Sequence, residues 1–182
     1  MYRIKSKGTF VTRPKINQSF VQALGSFNDQ ITQVGRTPHT KLLQFEVIEA
    51  DEVVANHLNL SVGEKVIFIH RLRYADEEPI VIVKTYLPYN KCEFVLEHDL
   101  EKESLYPILS SNPDTELYQI RRFIEAFEAT DYDMKHLNIN EYKAIQQFIS
   151  IGFNMYDVPV EYSIARYRGD RNKFEVIISN NQ

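Results

Sequence analysis

A pattern of residues occurs twice in this chain and limits the folds open to it. The residues Glu49-Ala50-Asp51, followed by His57-Leu58-Asn59-Leu60, return as Glu128-Ala129-Thr130, followed by His136-Leu137-Asn138-Ile139. Alanine and histidine are seven positions apart in both copies, and the copies are 79 positions apart. Each copy leads into two strand-like runs around an acidic turn with a proline. Two units of about 70 residues are too few for a solenoid, so the repeat predicts a pseudo-twofold α+β domain of two β-helix-β-hairpin units.

The first strand pair, from Val66 to Pro88, is rich in β-branched and aromatic residues and predicts a β-hairpin. Its turn is predicted at Asp76-Glu77-Glu78-Pro79, where proline fixes φ and the acidic residues favour turn conformations. Alternation along the first strand places Arg71 and Arg73 on the same face. Two guanidiniums about 7 Å apart can hold one planar or tetrahedral anion through parallel charge-assisted hydrogen bonds. The pattern alone leaves a second interpretation open, in which both arginines are solvated.

Three other stretches have helical or strand-like spacing. From Ser19 to Val34, apolar residues recur at three- and four-residue steps, which predicts a helix that Gly35 ends. Residues 41 to 50 are strand-like, and Asp51 is predicted to cap a short helix that ends at Leu58.

The two histidines of the repeat and several polar residues are the remaining candidates for a site. His57 and His136 recur with the repeat, and this recurrence predicts that both pack at a helix end and do not bind a metal. Ser104 is predicted to cap a short helix, whose free N–H groups would favour an anion together with paired arginines. Glu161 is predicted to lie in a strand that ends at Tyr167, although a glutamate in a strand is more often exposed. The candidate clusters also include Arg121 with Arg122, and Tyr167-Arg168-Gly169-Asp170-Arg171, which predicts a turn closed by ion pairs.

Composition limits the class of partner. The chain has 182 residues, of which 43% are hydrophobic, and this suits one globular domain or two small lobes. With a net charge of −4, the chain lacks the basic surface expected of a domain that binds nucleic acid. The expected ligand is therefore small. The single Cys92 is interpreted as a structural thiol, and the chain contains neither a membrane-span pattern nor a signal-peptide core. These features predict a cytoplasmic protein, and no motif for an enzyme, a cofactor or a metal is found.

A series of short motifs, taken in chain order, resembles a known family. The motifs are Ser26-Phe27, Arg71-Leu72-Arg73, the Pro79 turn, Leu87-Pro88, Glu103-Ser104-Leu105-Tyr106 and Tyr167-Arg168-Gly169-Asp170-Arg171. They resemble, in order, the motifs of the UTRA effector-binding domain of the HutC subfamily of GntR transcriptional regulators. The resemblance implies a chorismate-lyase-like α+β fold, with an antiparallel sheet and helices.

The resemblance also implies a division of the chain. Lys5 to Val11 resembles the last strand of the wing of a GntR-type winged helix-turn-helix. Residues 1–14 are therefore expected to be a remnant of the wing and linker, and residues 15–182 the UTRA domain. We expect a domain cut from a longer regulator, which reaches operator DNA only through the missing winged-helix domain.

The family implies a function and a set of site residues. The expected function is that of a homodimeric transcriptional regulator or repressor, not an enzyme, whose small anionic effector changes its affinity for DNA. In relatives that sense phosphosugars, the motifs that hold the phosphate correspond to Arg71, Arg73, Ser104, and Ser26 with Phe27. The residues that border the sugar part of the ligand correspond to Glu161 and Tyr167. Val83 departs from the family, which often has a sugar-binding glutamate there, and so puts an ordinary amino-sugar phosphate in question.

A second class of function stays open at this point. The fold can support chemistry of the chorismate-lyase type, and paired arginines could bind a small carboxylate substrate. The wing-like N-terminal residues favour the regulator, because a lyase has no reason to carry them.

Overall fold

The computed structural model describes residues 2–4, 8–10, 15–18, 26–139 and 143–176. In these ranges the strands are β1 (Tyr2–Ile4), β2 (Gly8–Phe10), β3 (Ile16–Gln18), β4 (Pro38–Glu49), β5 (Lys65–Ala75), β6 (Glu78–Pro88), β7 (Gln119–Glu128), β8 (Ala144–Phe153), β9 (Pro159–Arg168) and β10 (Asn172–Phe174). The helices are α1 (Phe27–Gln33), α2 (Glu52–Leu58), α3 (Tyr89–Cys92), α4 (Leu105–Leu109) and α5 (Asp131–Leu137), with a 3-10 turn at Glu93–Glu97.

The repeat folds as the sequence predicts. The first unit is β4-α2-β5-β6 and the second is β7-α5-β8-β9. Their strands form one six-stranded antiparallel sheet in the order β4-β5-β6-β9-β8-β7. The two units meet where β6 pairs with β9, and Lys84 lies opposite Ile164 in that pairing. A pseudo-twofold axis therefore passes between these two strands.

The repeated letters mark equivalent backbone features. Asp51 accepts a hydrogen bond from the third N–H of α2, and Thr130 does the same for α5 within a capping box. Asn59 and Asn138 end these helices in the left-handed conformation, at φ 53° and 50°. The start and the end of each helix are thus specified by the same two positions of the repeat.

The repeated histidines have the predicted packing role. Nδ1 of His57 lies 2.7 Å from the carbonyl oxygen of Val53, and Nδ1 of His136 lies 2.9 Å from that of Tyr132. His57 also stacks on Tyr162, with ring centres 4.3 Å apart. Each imidazole therefore satisfies a carbonyl of its own helix four residues back.

The two units interlock through their helices. The first unit's helix α2 packs against β9 of the second unit, and α5 packs against β6 of the first. Both helices cover one face of the sheet, where apolar clusters form around Val66 with Tyr162 and around Leu72 with Ile82. Each unit therefore covers part of the apolar face of the other unit's helix.

The hairpin turns differ from the predicted turn in one respect. Asp76 and Asp157 have positive φ and form the turns, but Pro79 is the second residue of β6 and Pro159 is the first residue of β9. Both prolines sit beside a shift of register with the neighbouring strand. Because proline has no N–H to donate to the ladder, a shifted position accommodates it.

The predicted helix from Ser19 to Val34 is wrong at Ser26. That residue is extended, at φ −72° and ψ 152°, and it begins α1 as an N-cap that accepts from the N–H of Asp29. A serine side chain that can bond to the next turn favours a helix start over a helix interior. Residues 19–25 lie outside the described part of the chain.

The N-terminal residues agree only in part with the predicted wing strand. β1 and β2 pair antiparallel as a short hairpin, with Tyr2 opposite Phe10. Residues 5–7 and 11–14 lie outside the described residues. The assignment of residues 1–14 to a wing and linker therefore stays a prediction.

The second face of the sheet is covered by α1 at one end and by the segment from α3 to α4 at the other. Phe27 and Ile31 of α1 pack in a cluster with Phe148 and Tyr167. Leu105, Ile108 and Leu109 of α4 pack in another cluster, which includes Ile67, Ile69 and Cys92. Cys92 is fully buried, and burial raises the pKa of its thiol to about 12, as befits a structural cysteine.

The predicted ion-paired turn after β9 is confirmed. Arg168 pairs with Asp170 at 3.1 Å and with Glu78 at 3.3 Å. Arg171 reaches the same Glu78 at 2.6 Å. These pairs join the end of β9 to the start of β6.

Candidate functional site

A cavity lies on the face of the sheet that carries α1 and α4, and its lining includes members of both apolar clusters there. Its volume, counted with the open mouth, is about 730 Å³. All seven site residues predicted from the sequence line it, namely Ser26, Phe27, Arg71, Arg73, Ser104, Glu161 and Tyr167. Val83 lines it as well.

Sheet register explains why residues so distant in sequence meet here. Directly opposite residues of antiparallel strands project from the same face. One such row across the sheet is Arg71, Val83, Ala165 and Phe148, and the next is Thr85, Ser163, Ser150 and Arg122. All of these except Thr85 line the cavity.

The two arginines are not solvated, so that interpretation is wrong. Arg71 is 3% exposed, and its Nη2 donates to Thr85 Oγ1 at 3.2 Å. Within the described chain, Nε and Nη1 of Arg71 and Nε of Arg73 are buried with no hydrogen-bond partner. The guanidinium of Arg73 lies 4.8 Å from the ring centre of Phe27, which explains the place of that ring beside the site.

Both arginines are held in an unfavourable electrostatic environment. Burial, together with the adjacent charge of Arg73, lowers the pKa of Arg71 to about 9, although Glu161 opposes this effect. Burial also lowers the pKa of Arg73. A buried guanidinium beside a half-buried one, both with unused N–H donors, is most easily stabilised by an anion between them.

Glu161 is also buried, at 2% exposure, so the expectation of an exposed strand glutamate is wrong. The hydroxyl of Tyr106 donates to its Oε2 at 3.1 Å. Burial raises the pKa of Glu161, and Arg71, Tyr106, Arg122 and Ser163 counteract only part of that effect. A carboxylate so placed can accept hydrogen bonds from a ligand's hydroxyl or amine groups.

The two predicted serines stand at the starts of the two covering helices but differ in what they bond. Ser26 Oγ donates to Asp29 Oδ2 at 2.6 Å and accepts from its N–H. Ser104 occupies the N-cap position of α4, as predicted, but its side chain makes no capping hydrogen bond. The helix therefore does not use the Ser104 hydroxyl.

Tyr167 contributes a ring and a neutral hydroxyl. Its ring centre lies 5.2 Å from that of Phe148 and 5.1 Å from that of Phe174. Burial raises the pKa of Tyr167 to about 12, so the hydroxyl keeps its proton at neutral pH.

Several lining residues were not assigned to the site from the sequence. They are Gln30, Leu105, Tyr106, Ile120, Arg122, Phe148, Ser150, Ser163 and Ala165. Arg122 adds a third guanidinium, and its Nε donates to Ser150 Oγ at 2.9 Å. The sequence singled out Arg121 with Arg122, but only the register of β7 shows which of the two faces the cavity. Tyr106 belongs to the same motif as Ser104, and that neighbourhood is the signal that could have identified it.

Two other features are absent from the described ranges. No three histidine, cysteine, aspartate or glutamate side chains come close enough there to hold a metal ion. No helix in the same ranges has the length and apolar character needed to cross a membrane.

Sequence comparison identifies relatives along most of the chain. A family model described as UTRA domain matches residues 33–173. HTH-type transcriptional regulator GmuR of Bacillus subtilis is 27% identical over 173 residues, which are 94% of this chain and 73% of the relative. HTH-type transcriptional repressor NagR of the same organism is 25% identical, over 96% of this chain and 71% of the relative. The mannosyl-D-glycerate transport/metabolism system repressor MngR of Escherichia coli is also 25% identical, over 96% and 72%.

Solved structures with the same fold include two of PhnF from Mycobacterium smegmatis. One has a TM-score of 0.87 at 23% identity and covers 98% of this chain and 78% of PhnF. The other, of the effector domain of PhnF, has a TM-score of 0.83 at 22% identity and covers 91% of this chain and all of that domain. At these identities the likeness establishes the fold.

Proposed function

The chain belongs to the UTRA domain family, and from that premise we propose that it binds a small anionic effector, a phosphorylated sugar or a related compound, to control DNA binding by a GntR-type regulator. The relatives GmuR, NagR and MngR are named as transcriptional regulators or repressors. MngR is named for the transport and metabolism of mannosyl-D-glycerate, which supports a sugar-related ligand for this chain.

The observation that carries the proposal is the unused hydrogen-bonding capacity of Arg71. Its guanidinium is buried in the cavity, and two of its nitrogens have no partner among the described residues. A buried donor left unpaired is costly, and a buried charge more so. A phosphate or carboxylate between Arg71 and Arg73 would relieve that cost, with the Ser104 hydroxyl available as a further donor.

The other end of the cavity suits an uncharged polar group. Glu161 accepts from Tyr106, and Ser163 and Ser150 lie in the adjacent row on the same face of the sheet. A ligand with an anion at one end and hydroxyl or amine groups at the other would match both ends at once. Phosphosugars have that arrangement of groups.

The remaining parts of the proposal concern the assembled regulator. We assign residues 1–14 to a wing and linker, residues 15–182 to the effector domain, and contact with operator DNA to a winged-helix domain. The regulator is a cytoplasmic homodimer, because operators read by such proteins have the twofold symmetry of the protein that binds them. It acts by binding rather than by catalysis.

Calorimetry on the purified chain tests the anion site. We expect inorganic phosphate to bind weakly, a phosphosugar to bind more tightly, and the same sugar without its phosphate not to bind. Equal binding of the phosphorylated and unphosphorylated sugars would contradict the proposal.

Incubation with chorismate separates the regulator from an enzyme. The expected result is that no pyruvate is released. Pyruvate release at a steady rate would instead assign the arginines to a carboxylate substrate of a lyase.

A further inference from the structure

The walls of the cavity carry more positive than negative charge. Among the described residues that line it, Arg71, Arg73 and Arg122 are cationic and only Glu161 is acidic. With all four side chains ionised, the walls have a net charge of +2. A phosphate monoester carries a charge of about −1.5 to −2 at neutral pH. The phosphate of a ligand therefore balances the walls by itself, and the rest of the ligand has no charge left to balance.

Arg122 is the cation that stands apart from the other two. It lies on β7, and three strands separate β7 from β5, which carries Arg71 and Arg73. Its side chain reaches over the neighbouring strand β8. There, Nε donates to Ser150 Oγ at 2.9 Å, and the guanidinium carbon lies 5.9 Å from the ring centre of Phe148. Since both of these β8 residues are buried, the guanidinium is held over the floor of the cavity.

The carboxylate of Glu161 already has a cation on each side. Glu161 lies on β9, between the strand that carries Arg122 and the strand that carries Arg71. Burial raises the pKa of Glu161, and the charges of Arg71 and Arg122 oppose that rise. A ligand's ammonium group that approached this carboxylate would therefore meet Arg122 as a like charge. A hydroxyl group can accept from the guanidinium and donate to the carboxylate without any such repulsion.

We propose that Arg122 selects against cationic ligands, so that the effector places its phosphate at Arg71 and Arg73 and only uncharged hydroxyl groups at Glu161. The effector is then a phosphate ester of a neutral sugar or polyol, and not of an amino sugar. The restriction to uncharged groups rests on the proposed function and narrows it, since that function admits hydroxyl and amine groups alike. Charges repel more strongly in a partly buried site than in water, so one ammonium group can decide between ligands that are otherwise similar.

Three phosphosugars that differ at one position test the selection. Glucose 6-phosphate, 2-deoxyglucose 6-phosphate and glucosamine 6-phosphate carry a hydroxyl, a hydrogen and an ammonium group there. In calorimetry at neutral pH, glucosamine 6-phosphate should bind about tenfold or more weakly than 2-deoxyglucose 6-phosphate, because only the former adds a like charge near Arg122. Raising the pH until the amine loses its proton should abolish the difference between these two ligands. Glucose 6-phosphate, titrated at both pH values, controls for changes in the protein.

Variants of Arg122 determine whether its charge causes the discrimination. Arg122→Gln removes the charge and should bring the affinities for the two ligands to within about threefold of each other. Arg122→Lys keeps the charge and should keep the difference. Arg121→Gln is the matched control, because Arg121 projects from the opposite face of β7 and does not line the cavity. It should leave all three affinities unchanged. Circular dichroism and thermal unfolding establish that the variants remain folded.

Three other results would contradict the proposal in different ways. If the wild type binds glucosamine 6-phosphate at least as tightly as 2-deoxyglucose 6-phosphate, the selection is overturned and the anion site is left standing. If the difference persists in Arg122→Gln, or is lost in Arg122→Lys as well, the charge of Arg122 is not its cause. If the wild type binds none of the three sugars, with or without binding of inorganic phosphate, the phosphosugar part of the proposed function is overturned together with the selection.

Discussion

The two repeat units share a backbone but place opposite chemistry on the cavity. In the first unit, Arg71 lies opposite Val83, and Arg73 lies opposite Val81. The equivalent pairs of the second unit are Ser150 opposite Ser163, and Gly152 opposite Glu161. The pseudo-twofold axis therefore relates an end of the cavity with two arginines to an end with the Glu161 carboxylate, two serine hydroxyls and the single guanidinium of Arg122.

This difference shows how a symmetric scaffold can bind an asymmetric ligand. The paired strands provide the same set of positions twice, so the ends of the cavity have the same geometry of backbone. Under the proposed function, their side chains decide which group of the ligand goes to which end. Substitutions at equivalent positions can separate the contributions of the two units.

The largest effect is expected at the cationic end. Arg71→Ala should weaken every anionic effector by about 1.5 to 3 kcal/mol, the value of a hydrogen bond to a charged group. Ser150→Ala removes the equivalent residue of the second unit and should cost about 0.5 to 1.5 kcal/mol, the value of a neutral hydrogen bond. Calorimetry with phosphate and two or three phosphosugars measures both. Wild-type affinities in Arg71→Ala for all of these ligands would move the anion site elsewhere.

The next effect concerns ligand choice at the carboxylate end. Glu161→Gln and Tyr167→Phe should each cost about 1 to 3 kcal/mol for ligands whose hydroxyl or amine groups they contact, since a buried group is left unpaired. Inorganic phosphate should bind these variants as it binds the wild type. Parallel titrations with inorganic phosphate and with phosphosugars measure the difference, and an equal loss for all ligands would contradict it.

The pH dependence gives an independent view of the same residue. Because burial raises the pKa of Glu161, its carboxylate gains a proton at a higher pH than an exposed glutamate does. As the pH falls through that range, the affinity for a phosphosugar should fall more steeply in the wild type than in Glu161→Gln. The variant controls for titration of the ligand itself. The same raised pKa makes the Glu161 contribution to the free energy of unfolding larger at low pH and smaller above that range.

An indirect effect on ligand affinity, accompanied by a loss of stability, is expected at Gly152, the counterpart of Arg73. A Cβ at this position would lie 2.7 Å from Cδ2 of Leu117 and 3.3 Å from Cβ of Glu161. Gly152→Ala should lower the free energy of unfolding by about 1 to 3 kcal/mol, the usual cost of overpacking, and displace the carboxylate. Urea denaturation measures the first effect and phosphosugar affinity the second. An unchanged phosphosugar affinity would mean that the new methyl group displaces only the side chain of Leu117 and not the carboxylate of Glu161.

The smallest effect is expected from Val83→Glu, which places a carboxylate directly opposite Arg71. An opposite-charge cross-strand pair contributes about 0.2 to 1 kcal/mol, so the new side chain should weaken inorganic phosphate by competing for Arg71. It should improve the binding of an amino-sugar phosphate, whose amine and hydroxyl groups gain an acceptor. Competition calorimetry between the two ligands measures the shift.

The elements predicted most accurately were those set by local chemistry. Asp51 and the repeated histidines specify α2 and α5 within a few residues, and the structure confirms them. Ser26 broke a helix that apolar spacing alone predicted, because its side chain bonds to the following turn. Pro79 was placed in the turn rather than in β6, since the sequence does not show where a register shift accommodates it.

The candidate site was predicted less completely because it depends on distant pairings. The family motifs led to seven residues that the structure brings to one cavity. Burial of Arg71 and Glu161 was not predictable from strand alternation, since that pattern does not show which face is covered. Arg122 reaches the cavity only because β7 pairs with β8 in one register, and no local signal fixes that register.

The exchange of helices between the units has a consequence for how the domain can be divided. Since α2 rests on β9 and α5 rests on β6, the fold is in effect a dimer whose two halves have been fused into one chain. Cutting the connection between β6 and β7 would leave two fragments, each with a helix that has lost part of its apolar cover and with an open strand edge. We expect neither fragment to fold alone, and the two to reassemble when mixed.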